Sequence, residues 1–423
     1  MTKESKRFVD TQRALRLFEE IAYVTHEGTV LPMDICPNPL TMINGEAKIR
    51  QLEHLLPRLS EVICLAQASS NESSLAKLLE VDLGCPESNQ FHQLLLSQAQ
   101  VPLFVRFDGA SLSSKNGEDK LFQAVEFQFR IGGLGFHTAI DEEVLGQSNL
   151  PGQYSKTLQE ICKETWGEDV PRVVLMAPAE KMKEVIFWAN KLKSRGVDVS
   201  VISLTNNIQS LEELVKLVQK GARVIVRREL NLPTLLAAGE TGKFLIRLAL
   251  ENQVRFEPPL PLLFDGKALS VILSRLDSID KEVSDLSVPT TPILDEGTAK
   301  ECINAKRGVL KFGSGRDLPR SFGGRGVFFL EKLSIKQRED LEHTIVNDLK
   351  RGFFWIWQPD VGGEKVTAQV LNHFGEQREE TGRIRSMIFT DLFHGKVISG
   401  GFNLTSSTRV VRGGHPIGTL AIK

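Results

Sequence analysis

Between Arg172 and Val226 short apolar runs alternate with stretches of helical spacing, and that alternation leaves the chain few architectures. Val173-Val174-Leu175-Met176 is a short buried strand. Met182, Val185, Ile186, Ala189 and Leu192 then fall on one helical face, and Gly196 stops the helix. Val197 to Leu204 resumes as strand. A second helix near Leu211 to Gln219 leads through Gly221 into Arg223-Val224-Ile225-Val226. The pattern predicts a small Rossmann-like βαβαβ unit with a parallel sheet. It carries no dinucleotide glycine signature, so it reads as a scaffold or a substrate-side domain.

A chain of 423 residues exceeds what a single core usually supports, so two or three domains are expected. The fold class is α/β with α+β character, divided as 1–165, 166–257 and 258–423. The first part begins with helical spacing, as in Leu15, Phe18, Ile21 and Ala22 and again in Leu52, Leu55, Leu56 and Leu59. Two strands follow, Val101 to Phe107 and Leu121 to Phe129, joined by the polar turn or mobile loop Gly109 to Asp119. Pro258-Pro259-Leu260-Pro261 marks the second boundary. Beyond it come a helix from Lys267 to Leu276 and a Pro/Thr-rich connector at Val288 to Pro292. The strands Gly308 to Phe312, Val327 to Leu330 and Phe353 to Trp357 surround a helix from Ser334 to Lys350. Ser334 and Gln337 form its capping box, and Leu341, Ile345 and Leu349 its buried stripe. Antiparallel strands at Ile384 to Phe393 and Lys396 to Phe402 turn at His394-Gly395.

Composition removes several functions. The net charge is −1 with both signs mixed along the chain, which gives no basic tract for nucleic acid or an anionic membrane surface. Cys36, Cys64, Cys85, Cys162 and Cys302 contain no CxxC pair, against a disulfide framework or a zinc site and for a reducing cytoplasm. No apolar run approaches ~20 residues, and Met1 to Asp10 leads to no signal-peptide core. There is no HExxH and no GxSxG, and His137, His373, His394 and His415 are isolated, so each reads as structural or exposed. Chemistry is therefore expected to rest on ATP and metal rather than on a protein nucleophile.

The strongest local signal for that chemistry follows Lys311. Between Phe312 and Val327 lie five glycines and three arginines, offering flexible backbone donors and positive charge to a polyphosphate. Neither GxxxxGK[ST] nor GxGxxG occurs there. A flexible surface connection would show the same glycines, but a lysine ending an apolar strand calls for an anionic partner. Gly323, Gly324 and Gly326 would cradle phosphate, and Arg325 would reach the γ-phosphate; Arg316 and Arg320 fit either a phosphate contact or an ordinary loop charge. Upstream, strand periodicity gives Arg106 and Asp108 a shared face and Glu126 and Gln128 likewise, so adjacent strands would present them together, while Phe107 and Phe127 point to a core. Asp108, Glu126 and Gln128 form a hard-oxygen set suited to one or two Mg²⁺ ions, although a half-exposed hairpin with solvated charges has the same pattern. Lys267 opposes the dipole of the helix it opens, a hint of a ligand that chance placement would equally give. At the strand end Gln358-Pro359-Asp360-Val361 the backbone could hydrogen-bond an adenine edge, with Trp357 or Val361 against its face, although a plain strand end with a proline stop has the same pattern. Arg383, Arg385 and the polar run Asn403 to Arg409 complete the candidates for phosphate, metal-bound water or acceptor contacts.

Taken together, Arg106-Phe107-Asp108, Lys120 to Gln128, Asp265-Gly266-Lys267, Val288-Pro289-Thr290, Val309-Leu310-Lys311 with Gly323 to Val327, and Trp357-Gln358-Pro359 resemble a circularly permuted ATP-grasp ligase of the glutathionylspermidine synthase type. The likeness covers about two thirds of the chain and leaves the first ~95 residues unassigned. It implies an ATP-grasp fold, ATP and two Mg²⁺ ions as cofactors, and an acylphosphate mechanism that ends in an amide. It further implies Asp108, Glu126 and Gln128 as metal ligands and Lys267 and Lys311 as phosphate contacts. Gly323, Gly324, Gly326, Gln358, Val361 and Arg409 would complete the nucleotide site, with Arg106 and Arg325 as catalytic cations. Where that family has E-x-N, this chain has Glu126-Phe127-Gln128. Partners would be a small-molecule carboxylate and an amine, such as an amino acid, peptide or polyamine. Two alternatives are charging of an amino acid onto a carrier-protein thiol and a degenerate nucleotide-binding adaptor. Oligomeric state is left open.

Overall fold

The computed structural model describes residues 34–41, 45–68, 86–110, 123–204, 207–275, 279–305, 307–315, 317, 320, 326–363, 365–372, 374–405 and 416–421. The early strands are β1 (Leu40–Thr41), β2 (Phe104–Ala110) and β3 (Gln123–Gln128). β2 begins at Phe104 rather than Val101 because the amide N–H groups of Leu103 and Phe104 donate to the buried carboxylate of Glu257 instead of to a neighbouring strand. Helices Gly45–Ala68 and Pro86–Ser97 fulfil the helical spacing of this region within the described residues; the stretch around Leu15 lies outside them, as do 111–122. The polar turn expected at Gly109 to Asp119 falls mostly there.

The expected parallel unit is present and one strand larger. β4 (Arg172–Ala177), β5 (Asp198–Ser203), β6 (Val224–Arg227) and β7 (Arg255–Glu257) form a four-stranded sheet in the order β5-β4-β6-β7, every pair parallel. Helices Met182–Lys193 and Asn207–Gln219 make the first two crossovers. Two preceding helices, Leu134–Leu145 and Leu150–Trp166, add to the expected elements: the first is buried on nearly all sides and so shows no apolar period, whereas the second carries one through Leu150, Tyr154, Leu158 and Cys162.

A second four-stranded sheet holds β8 (Thr291–Ile293), β9 (Val309–Phe312), β10 (Val327–Phe329) and β11 (Trp355–Gln358), in the order β10-β9-β11-β8. The Pro/Thr-rich connector is thus partly strand: Pro292 has no N–H to give, and β8 is the sheet edge where that is tolerated. The helix Ile335–Lys350 starts at Ser334 with the capping box expected, Ser334 Oγ accepting from the Gln337 amide at 3.3 Å and Gln337 Oε1 from the Ser334 amide at 2.9 Å. Its buried Leu341 and Ile345 pack with Leu310, Phe312 and Trp355.

The chain then returns to the first sheet through β12 (Lys365–Leu371), β13 (Gln377–Asp391), β14 (Lys396–Thr405) and β15 (Ile417–Ala421). The completed seven-stranded sheet runs β1-β15-β14-β13-β2-β3, with β12 also on β13. Strand pleating sends Phe107, Phe127, Ile384, Ile388, Phe402 and Leu404 to one side, where they pack on Leu52, Leu55, Leu56 and Leu59 of helix Gly45–Ala68 and on Leu269 and Ile272 of helix Ala268–Arg275. Each such buried side chain contributes about 1.5–3 kcal/mol of transfer free energy. On the opposite side Phe104, Met387 and Phe389 pack toward Tyr154, Trp188 and the parallel sheet, while the polar residues of β2 and β3 lie further along the same face. No helix among the described residues is long and apolar enough to cross a membrane.

Candidate active site

The polar face is built from the β2–β3 pair. Arg106 lies opposite Gln128 and Asp108 opposite Glu126, so all four side chains share one side, and Phe107 and Phe127 meet edge to face in the core behind them. The register then slips, with Gly109 facing Ala124, which leaves Val125 as the extra residue of a β-bulge. The Val125 carbonyl accepts a hydrogen bond from Lys311 Nζ at 2.9 Å. Ala124 is held in turn by the segment before β8, its N–H donating to Leu286 and its carbonyl accepting from Val288.

Asp108 is enclosed by donors. Arg106 reaches it with two nitrogens, Nε to Oδ1 at 2.6 Å and Nη2 to Oδ2 at 2.7 Å, and Gln128 Nε2 adds a third bond to Oδ2 at 2.9 Å. A carboxylate oxygen only accepts, which fixes the amide group of Gln128 with its nitrogen toward Asp108. Arg106 also donates from Nη1 to the Gly132 carbonyl at 3.1 Å, just before Gly133 (φ 79°) turns the chain into helix Leu134–Leu145. Burial raises the Asp108 pKa and the Arg106 charge opposes it.

Both sequence-assigned lysines arrive at this face from the far half of the chain. Gly266 and the loop after β9 touch backbone to backbone: a Cβ on Gly266 would stand 2.4 Å from the Gly313 carbonyl oxygen and 2.7 Å from the Gly315 nitrogen. The Lys267 amide donates to that Gly313 carbonyl at 2.9 Å, and Lys267 Nζ stands 3.4 Å from Glu126 Oε1. Lys311 is 7% exposed. Burial lowers its pKa to about 7, opposed by Glu126 and reinforced by Lys267 and Arg385. Arg385, on β13, has its own pKa lowered by burial, with Asp108 opposing.

Other candidates stand differently. Gln358 is buried, with Nε2 on Thr290 Oγ1 at 2.9 Å and Oε1 enclosed without a partner among the described residues; Val361 is half-buried. The Trp357 indole donates to the Arg307 carbonyl and lies against Gly308. Gly326 is packed tightly, since a Cβ there would stand 2.6 Å from Phe312 Cβ. Arg320 belongs to another network: it pairs with Asp348, which also accepts from Trp355 Nε1, and its guanidinium covers the Phe312 ring at 4.1 Å. Gly323, Gly324, Arg325, Arg316 and Arg409 lie outside the described residues.

Sequence reading missed what holds this site from behind. Asp265 of Asp265-Gly266-Lys267 accepts from two buried arginines, from Arg130 Nε at 2.7 Å and from Arg227 Nη1 at 3.2 Å. Those arginines also donate to the carbonyls of Arg228, Leu230, Pro258 and Pro259. Burial takes Arg227 down to about 9. The available signal was an arginine set among apolar residues in each of two segments, Phe127 to Ile131 and Val224 to Arg227.

A parallel four-stranded unit, a small antiparallel sheet bearing Lys311 and a large antiparallel sheet bearing the paired carboxylates make a mixed α/β architecture of the glutathione synthetase-like ATP-grasp type. Among solved structures it is similar to a glutathione synthetase-like effector from Globodera pallida in its apo form, with a TM-score of 0.52, 97% of each chain covered and 13% sequence identity. At that identity the likeness is one of fold. No protein-family model and no curated protein matches the chain.

Proposed function

We propose that this chain is an ATP-dependent carboxylate–amine ligase, in the arrangement of circularly permuted glutathionylspermidine synthase-type enzymes. The observation that carries the reading is the meeting of Lys311 with the Val125 bulge and of Lys267 with Glu126, contacts between residues 186 and 141 positions apart. Enclosed lysines beside paired carboxylates suit a metal-bound polyphosphate better than any neutral ligand.

The donor set fits Mg²⁺ on its chemistry, because this ion takes one or two carboxylates together with phosphate oxygens rather than a full protein cage. Among the described residues no three His, Cys, Asp or Glu side chains converge as a metal cage. Asp108 and Glu126, with the Gln128 carbonyl beside them, would hold the ion, and the chemistry it would supply there is Lewis-acid neutralisation of phosphate charge. Lys267 and Lys311 would neutralise the phosphates, Arg106 would orient the reacting phosphoryl group, and Arg325 would close over it with backbone donors from Gly323, Gly324 and Gly326. Gln358 and Val361 would receive the base, and Arg409 a phosphate oxygen. The substrate carboxylate oxygen attacks the γ-phosphorus as the bond to ADP breaks. The amine nitrogen then attacks the acyl carbon, phosphate leaves with the C–O bond, and the amine proton is lost. Amino acids, peptides and polyamines are the substrate pool.

The test is release of ADP and phosphate with Mg²⁺ on addition of those compounds in mixtures, with Glu126→Ala as control. Substrate-dependent release that the variant lacks is expected; no release from any mixture, with nucleotide binding unaffected by Glu126→Ala, would sink the reading. A second reading, nucleotide binding without turnover, is favoured by the three hydrogen bonds that occupy Asp108. It predicts Mg²⁺-ATP binding with no ADP formed under any mixture.

A further inference from the structure

Arg320 belongs to the glycine loop, yet its charge is turned away from the phosphate side. Lys311 and Phe312 are consecutive on β9, so the pleat sends Lys311 to the polar face and the Phe312 ring to the opposite one, and the Arg320 guanidinium covers that ring at 4.1 Å. Asp348 accepts with both oxygens, Oδ1 from Nη1 at 2.9 Å and Oδ2 from Nη2. This carboxylate is 3% exposed and stands in the last turn of helix Ile335–Lys350, where the helix dipole disfavours a negative charge. A buried acid in that position calls for a cation. Trp355 Nε1 donates to it at 2.9 Å and the Arg351 guanidinium approaches to 4.0 Å, but Arg320 makes the bidentate contact. A cavity of about 450 Å³ opens beside the pair, between the helix and the side chains of Phe328 and Trp355, so charge and not lack of space holds the arginine.

The two ends of the loop meet at the same point. The Phe312 amide donates to the Gly326 carbonyl at 2.7 Å, and a Cβ on Gly326 would stand 2.6 Å from Phe312 Cβ and 2.9 Å from the Arg320 carbonyl oxygen. Arg320 thus touches the returning end of the loop with its backbone and the helix behind it with its side chain. In the sequence Gly323 and Gly324 fall between these two held positions, Arg320 and Gly326. A loop fixed at an interior residue has less freedom to lose when a ligand draws its amides in. We propose that Arg320 is a positioning residue of the glycine loop: latched on Asp348 and Phe312, it gives Gly323 and Gly324 a fixed base from which to meet a polyphosphate at Lys311. The identity of that ligand rests on the ligase reading, and the latch rests on the contacts of Arg320 alone.

Trypsin tests the latch directly, because it cuts after an arginine only when that side chain enters the enzyme's own specificity pocket. Well below the melting temperature, the bond after Arg320 should be cut slowly in wild type and about tenfold or more faster in Asp348→Asn, with cleavage elsewhere unchanged. Nucleotide affinity tests the role. Mg²⁺-ADP, and Mg²⁺ with a non-hydrolysable ATP analogue, titrated by calorimetry, should bind about three- to tenfold more weakly to Arg320→Ala and to Asp348→Asn. The double variant should bind no more weakly than either single one, and Arg320→Lys, which keeps the charge, should recover part of the loss. A pair that serves stability alone would lower the melting temperature of both variants and leave both affinities within about twofold of wild type, and that result would overturn the proposal. Cleavage after Arg320 as fast in wild type as in Asp348→Asn would overturn it as well. Wild type that binds no nucleotide counts against the ligase reading and against this role within it; a protected Arg320 bond would then still uphold the latch.

Discussion

Lys311 shows how far one residue can report its own site. A lysine ending an apolar strand already signals an anionic partner, but only the folded chain brings burial, Lys267 and Arg385 together and lowers its pKa from 10.5 to about 7. The sign of the consequence follows directly. Above pH 7 the free lysine is largely neutral, and a bound polyphosphate restores its charge, so nucleotide binding at pH 8 should take up a proton and weaken as pH rises further. Titration calorimetry at pH 8 in buffers of different ionisation heat should show that uptake, and Lys311→Met should abolish it. The same shift bears on stability. The unfolded chain holds the extra proton between about pH 7 and 10.5, so the penalty from Lys311 is full below pH 7 and is relieved as pH rises through that window. Lys311→Met should accordingly raise the melting temperature more at pH 6 than at pH 10.

Elements divide into those announced by local pattern and those created by their neighbours. Helix Ile335–Lys350 is local: its cap, its stripe and its length are all written between Ser334 and Lys350. Ser334→Ala should cost about 1 kcal/mol, read as a lower melting temperature, and leave nucleotide affinity unchanged. The loop after β9 is the opposite case. Its first glycines suggested freedom, yet Gly313 lies against the Phe354 ring and Gly315 against Asp265. They are small so that two backbones can touch. Gly266→Ala should therefore push this loop away from the helix that carries Lys267; nucleotide binding should weaken about tenfold or more, and unchanged binding would show that the close approach is dispensable. The edge strand β8 was hidden for a related reason, because this short strand draws its hydrogen bonds from β11, far along the chain.

For the whole molecule, the decisive joint is Asp265 between Arg130 and Arg227, which ties the end of β3, the end of β6 and the segment before helix Ala268–Arg275 into one buried network. Removing the carboxylate strands two buried guanidinium groups, so Asp265→Ala should cost about 3–5 kcal/mol and lower the melting temperature steeply, whereas Arg58→Ala, which removes a surface ion pair with Glu282, should leave the melting temperature nearly unchanged. By itself the sequence determined the βαβαβ unit, the capped helix and the sharing of one strand face by Arg106 with Asp108 and Glu126 with Gln128, because each depends on residues within a few positions of one another. Tertiary structure alone decided that Lys267, Lys311 and Arg385 join that face, that Arg320 does not, and that Arg130 and Arg227 brace it. Those outcomes turn on which strands pair and which charges lose their water, and neither is written in any local window of the chain.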